Sequence, residues 1–279
     1  MAAKANGLRN AQRCLQVESL PASAHPGQTK QVSLPSISYQ LYSSRDWDVG
    51  ETFAMLTGLG ITEVEGFGPY LEHPHRTRAL LDAHGMTMPT AHFALDFVAN
   101  DTNRAVETAR ELGIHTVIVP FLAPADRPST ASGWESFAQH LAKVGEKIVA
   151  SGLDFAWHNH DFELVPVDGS MPLDLIAGAS DDIKIELDLA WVKTAHQDPV
   201  AWLERLSGRL VAAHLKDVAP RGENVDEGGW SDVGYGVLDW AAIKPAMDAA
   251  GVDRYVIEHD NPSDHKRMAT RSLASVLAF

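Results

Sequence analysis

The segment 153–163, LDFAWHNHDFE, starts as an apolar, aromatic-rich run suited to a buried strand and turns abruptly polar at His158, Asn159 and His160. Side chains alternate faces along a strand, so His158 and His160 point the same way at its end, with Glu163 a few residues on. Two imidazoles side by side with a carboxylate in reach can bind a metal or move a proton.

Such residues need a frame. From Ser36 onward a short β-rich run, a polar turn and an amphipathic segment recur, often closed by glycine. The β-like runs lie near 36–42, 61–65, 87–92, 115–119, 153–160, 183–189, 209–216 and 254–259. Helical segments fall near 48–59, 75–84, 101–112, 133–151, 171–179, 198–207 and 239–250, with a last one after Asp264. Gly60, Gly85, Gly113, Gly152, Gly208 and Gly251 follow helices, where a left-handed cap suits glycine. Eight strand-then-helix units predict an α/β fold, a single (β/α)8 TIM barrel over residues 35–279. A doubly wound open sheet is the weaker option, because no GxGxxG or GxxxxGK[ST] opens a helix. Residues 1–34 have no sustained periodicity and read as a flexible N-terminal extension.

A barrel carries its active site at the C-terminal ends of the strands. There the sequence places Gln40, Glu65, His92, His158 with His160, Glu186 with Asp188, His214 with Lys216, and Glu258 with Asp260. So many converging polar groups need mutual pairing, water or a metal to offset desolvation. The mixed imidazole and carboxylate donors of His158, His160, Asp188, His214 and Glu258 suit Mn, Co, Zn or Fe, and Mg less well. A buried ion-pair network is the other reading. Lys216 and Asp217 either bind substrate or form a surface ion pair past the strand end. His92 reads as functional, Trp157 and Trp202 as core, and Trp191 as a pocket wall. The long loop from Asp217 to Gly236 reads as a lid. His73, His75, His84, His115 and His140 fall in helices or at strand starts and receive no role.

The formal charge of −14 argues against nucleic acid as a partner, and no apolar run approaches the roughly 18 residues of a membrane helix. One cysteine, Cys14, permits no internal disulfide, so the cytoplasm is the expected compartment. A small carbohydrate is the expected partner, and a homo-oligomer stays open.

The motifs QLYSSRD (40–46), AHF (91–93), WHNHDFEL (157–164), ELDLAWVKTAHQDP (186–199), AAHLKDV (212–218), DVGYGVLDW (232–240) and VIEHDNP (256–262) together resemble the sugar phosphate isomerase/epimerase family of xylose isomerase-like barrels. The resemblance spans about residues 36–275 and implies one divalent metal ion (Mn, Co, Zn or Mg, with Mn favoured). It implies Asp188, His214 and Glu258 as ligands. At the fourth position, where ketose epimerases carry a glutamate, this chain has His158, with His160 as a substitute. Tyr235 stands where many relatives have glutamate and is expected to alter the pocket rim. Trp191 replaces a histidine expected of the superfamily's DNA-cleaving branch, which argues against a nuclease.

The implied activity is a metal-dependent isomerase or epimerase that acts on a sugar or keto sugar through an enediolate. Glu258 is the expected base, His158, His160 or Glu163 is placed to return a proton, and Lys216, counted with the catalytic residues, holds substrate hydroxyls with His92. His92, Glu65, Trp191 and Gln40 are assigned to substrate binding. The alternative is a lyase or dehydratase performing β-elimination on a 3-keto sugar, keto-glycoside or inosose. A binding or scaffold protein on a decayed barrel is a third class.

Overall fold

The structure is a computed structural model and describes residues 35–279; the expected flexible extension 1–34 lies outside the described residues. Ten strands occur in chain order: β1 (Ser36–Gln40), β2 (Glu63–Gly66), β3 (Thr87–His92), β4 (Thr116–Val119), β5 (Asp154–His158), β6 (Ile183–Asp188), β7 (Leu210–Leu215), β8 (Asp217–Val218), β9 (Trp230–Ser231) and β10 (Arg254–Ile257). All but β8 and β9 pair in parallel and close into a barrel ordered β1-β10-β7-β6-β5-β4-β3-β2. The expected TIM barrel is therefore the fold. The short β8 and β9 form a separate antiparallel ribbon inside the long loop after β7.

The main outer helices are α1 (Val49–Gly58), α3 (Pro74–His84), α5 (Thr102–Leu112), α6 (Ala131–Val149), α7 (Pro172–Gly178), α9 (Pro199–Arg205), α10 (Trp240–Ala250) and α11 (His265–Ala278). Three short helices, α2 (Gly68–Glu72), α4 (Leu95–Asn100) and α8 (Leu189–Thr194), sit in the loops and escaped the periodicity reading, being too short to show a repeat. Helix α5 buries Ala105, Val106, Ala109 and Leu112 at three- and four-residue spacing, which lays one face on the barrel. Asp101 starts it by accepting from the Arg104 amide, and Gly113 ends it at φ +73°. All six glycines expected after helices have positive φ. Gly145 serves close packing instead, since a Cβ there would lie 2.5 Å from the Phe155 ring and its absence lets α6 close on β5.

Strands β1, β5, β6, β7 and β10 end sooner than the sequence runs suggested, and at β1 and β5 polar side chains take over where backbone pairing stops. Gln40 leaves β1 and caps a 3-10 turn by accepting from the Tyr42 amide. Asn159 extends the β5–β6 edge with its side chain, accepting from the Asp188 amide at 2.9 Å. His160 therefore stands just past β5, held by an amide side chain that imitates a strand rung. Among the described residues no helix is long and apolar enough to cross a membrane.

Candidate active site

A cavity of about 640 Å³ opens at the C-terminal end of the barrel. Strands β3, β5, β6 and β10 bring His92, His158, His160, Trp191, Glu258 and Asp260 to it, while the loops after β1 to β4 bring Tyr42, Phe67, Leu95 and Phe121. One side is ionisable, and the other is mainly apolar and aromatic, with Asp96 and Asp126 among its residues.

Beneath the cavity, two carboxylates tie the strand ends together. Glu65 Oε1 accepts from Gln40 Nε2 at 2.7 Å and lies 2.7 Å from His214 Nε2, while its Oε2 accepts from Thr90 at 2.5 Å. Glu186 Oε2 meets His92 Nε2 at 2.8 Å and His158 Nδ1 and His214 Nε2 at 3.1 Å. Its other oxygen is buried with no hydrogen-bond partner.

A second cluster lies around Lys216, whose ammonium is 3.0 Å from Asp188 Oδ2, 2.9 Å from Glu258 Oε2 and 2.9 Å from Asp260 Oδ1. Lys216 is fully buried and covered by Trp230 and Trp191, its Nζ 4.7 and 5.2 Å from their rings. Of the two readings of Lys216 and Asp217, the surface ion pair does not form. Consecutive residues leave the strand on opposite sides, and Asp217 turns into the loop instead. There it accepts from the amides of Val218, Gly234 and Leu238 and from the Trp240 indole.

Asp188, His214 and Glu258 bring ligand atoms within 4.8 Å of one another, as do His92, His158, Glu186 and His214. The first set fits a divalent cation. His214 Nδ1 faces Glu258 Oε2 at 3.0 Å and Asp188 Oδ2 at 3.9 Å, while its Nε2 faces Glu65. Burial opposes a charge on His214, yet Glu186, Glu258 and Glu65 hold it well above the usual imidazole range, so Nδ1–H donates to Glu258 and would have to give up its proton to become a ligand, with Glu65 left on Nε2 as the outer carboxylate that metal-bound histidines usually have. Asp188 Oδ2, although in ion-pair range of Lys216, lacks an aligned hydrogen bond. Lys216 already brings positive charge to the same two carboxylates. The four expected ligands do not form one set, since His158 groups with Glu186 rather than with Asp188 and Glu258.

Burial and charge set the protonation states. Burial would lower His92, but Glu65 and Glu186 carry it up to about 9. Burial likewise opposes the charge on Lys216, and its carboxylates raise it well above the usual lysine range. Burial works to raise Glu258, yet Lys216 and His214 hold it well below the ordinary carboxylate value. His160 is pushed down to about 3 by burial and by Lys216, and burial pushes Glu163 up to about 8.

The structure separates the expected site residues by depth. His92, His158, His160, Trp191 and Glu258 line the cavity. Gln40, Glu65, Asp188, His214 and Lys216 are fully buried below or behind it. Glu163 is buried too, accepting from the Trp157 indole and the His160 amide, so it props the histidine segment. Trp157 and Trp202 are core, as expected. Tyr235 is not at the pocket rim. It is exposed beside Arg271, whose guanidinium lies 4.8 Å from its ring, because Asp217 draws the neighbouring amides inward. Arg267 of α11 holds both Glu227 and Asp232 of the long loop expected to be a lid, and none of that loop's residues lines the cavity. Glu186 and Asp260 were visible only as same-parity partners of Asp188 and Glu258. Nothing in their spacing marked Glu186 as the centre of three imidazoles.

The model of the xylose isomerase-like TIM barrel family matches residues 53–277. An inosose dehydratase of Lacticaseibacillus casei is 23% identical over 174 residues, covering 54% of this chain and 58% of the relative. The chain thus matches little more than half the length of that curated relative. Among solved structures, a sugar phosphate isomerase/epimerase from Parabacteroides distasonis ATCC 8503 superposes with TM-score 0.73 at 19% identity, over 90% of this chain and 96% of that one. A probable 3-DHS dehydratase from Bacillus anthracis gives TM-score 0.69 at 13% identity, over 87% and 98%.

Proposed function

The chain belongs to the xylose isomerase-like TIM barrel family, and from that premise we propose that it is a divalent-metal-dependent isomerase or epimerase of a small keto sugar or inosose. The observation that carries this reading is the Glu258 carboxylate. It lines the cavity with one oxygen held by Lys216 and His214, in the same group of ligand atoms as Asp188.

Asp188, His214 and Glu258 would hold the ion. A bound divalent cation would polarise the substrate carbonyl and acidify the adjacent C–H. Glu258 is kept ionised at neutral pH and can accept that proton. His92 is kept protonated and lines the same cavity, so it can hold a substrate oxygen and supply a proton to it. His160 is neutral, with a buried Nδ1 that has no partner, which suits a hydroxyl-binding group better than an acid. Trp191 and Phe121 flank His160 and keep water from that side.

A second reading, β-elimination, is favoured by the contrast between a carboxylate base on β10 and an imidazolium on β3, on separate strands of the barrel. An acid distinct from the base suits a leaving group. The dehydratase names among the similar proteins support it.

The test is to incubate the manganese-loaded protein with keto sugars and inososes in D2O and follow them by NMR. Deuterium entering beside the carbonyl is expected, with rearranged product for isomerisation or an unsaturated product for elimination. No deuterium and no product from any substrate would overturn both readings. The purified protein should hold about one divalent ion per chain, and Asp188→Ala or His214→Ala should release it. Full occupancy in both variants, by mass spectrometry of the metal, would refute the ligand set.

A further inference from the structure

Tyr42 and Phe121 are among the few large apolar side chains left exposed, 39% and 44%, and both face the cavity at the barrel mouth. Each is buttressed rather than loose. Tyr42 meets Phe67 edge to face at 5.3 Å, and Phe121 meets the His160 ring at 5.3 Å and Phe162 at 6.2 Å. Exposed aromatic rings held by other rings form a ready surface for a flat apolar group, because covering them removes apolar area from water with little cost in ordering.

The charges point the same way. Among the described residues lining the cavity there is no Lys or Arg, while Asp96 and Asp126 join Glu258 and Asp260. The arginines nearby stand outside the lining: Arg127 donates Nε to the Leu122 carbonyl and stacks on Phe162, and Arg45 donates to the Tyr42 and Asp260 carbonyls. A phosphate or carboxylate on the substrate would meet these four carboxylates, with only the His92 imidazolium in the lining to attract it. The volume of about 640 Å³ falls in the range of roughly 300–1,000 Å³ that encloses drug-sized ligands, more room than one hexose ring requires.

We propose that the substrate is an uncharged sugar-like ring bearing an aromatic substituent, with the ring against the imidazoles and Glu258 and the substituent between Tyr42 and Phe121. This rests on the proposed function for the identity of the polar ring. The aromatic subsite is set by this chain's own loops.

Two measurements on the manganese-loaded full chain separate the claims. The first compares the binding of phenyl and methyl β-D-glucopyranoside by tryptophan fluorescence, with saturation-transfer NMR to locate the phenyl protons. The phenyl compound should bind at least tenfold more tightly. Tyr42→Ala and Phe121→Ala should each cut that preference at least threefold with an unchanged melting temperature. Affinities within twofold of each other, a preference that survives both substitutions, or glucose 6-phosphate binding more tightly than the phenyl glucoside would overturn the proposal. The second follows exchange of the proton beside the carbonyl in D2O for the matching 3-keto glucosides. Exchange without phenyl preference would sink the aromatic subsite and keep the proposed function. Phenyl preference without exchange on either would do the reverse.

Discussion

Asp217 and Asp188 are both fully buried carboxylates near the top of the barrel, yet they are built for opposite ends. Asp217 accepts from three amides and one indole, so both its oxygens are satisfied by groups that cannot leave. Asp188 spends Oδ1 on the amides of Ala190 and Trp191, while its Oδ2 has no aligned hydrogen bond and only the ion pair with Lys216 at 3.0 Å, and it faces His214 and the cavity cluster. A saturated buried carboxylate fixes a loop. One with an oxygen to spare is available for chemistry, and the same holds for Glu186, whose Oε1 also lacks a hydrogen bond.

The largest effect expected from this contrast falls on the saturated side. Asp217→Ala strands four donors, of which the Leu238 amide and the Trp240 indole are buried, and should lower unfolding free energy by about 3–5 kcal/mol in urea titrations, while metal content per folded molecule stays the same. Loss of metal without loss of stability would blur the distinction. On the available side, Glu258→Gln keeps shape and an oxygen but removes the basic charge. Proton exchange beside the substrate carbonyl should then fall by about 100-fold, with the fold intact by circular dichroism. An exchange rate within threefold of the parent would take Glu258 out of the base role.

Glu163 lies between these cases, because it receives two donors and is nevertheless raised to about 8 by burial. Its folded value exceeds its unfolded one, so its contribution is fully present below about pH 4.5 and is lost as pH rises through 8. Glu163→Gln should remove part of the decline, leaving the variant about 2 kcal/mol better off at pH 9 relative to pH 5 than the parent. Parallel stability curves would show that Glu163 does not titrate there. The smallest effect belongs to Lys216→Met. Taking the ammonium off Asp188 and Glu258 should tighten manganese binding by about tenfold, read by calorimetry. Weaker binding would mean that the lysine shapes the site rather than competing for it.

The barrel was legible because its signals are local: glycines after helices, aspartate caps before them, and runs such as TVIV at 116–119. Residue parity correctly brought His158, His160 and Glu258 to the mouth. Depth was not legible. Gln40, Glu65 and His92 all stand at strand ends, but only His92 reaches the cavity. Depth follows from how far each strand is staggered, and the stagger shifts where β2 meets β3 between Glu63 and Glu65, and where β6 meets β7 between Ile185 and Glu186. Those irregularities leave no mark in composition. The partner of Lys216 was hidden for a related reason: adjacent letters in HLKD suggested a pair with Asp217, whereas its partners come from β6 and β10, far along the chain.

Lys216 also gives the chain its own counter-ion. A barrel mouth of carboxylates alone would repel itself until an ion arrived, and folding would wait on the supply of that ion. With an ammonium tethered 2.9 to 3.0 Å from Asp188, Glu258 and Asp260, much of that charge is balanced by the polypeptide before any ion is present. The barrel can then close during synthesis in surroundings poor in metal. On the proposed reading, a divalent ion arriving later would enter a finished frame, and making room for it would take the displacement of one side chain instead of the refolding of a domain.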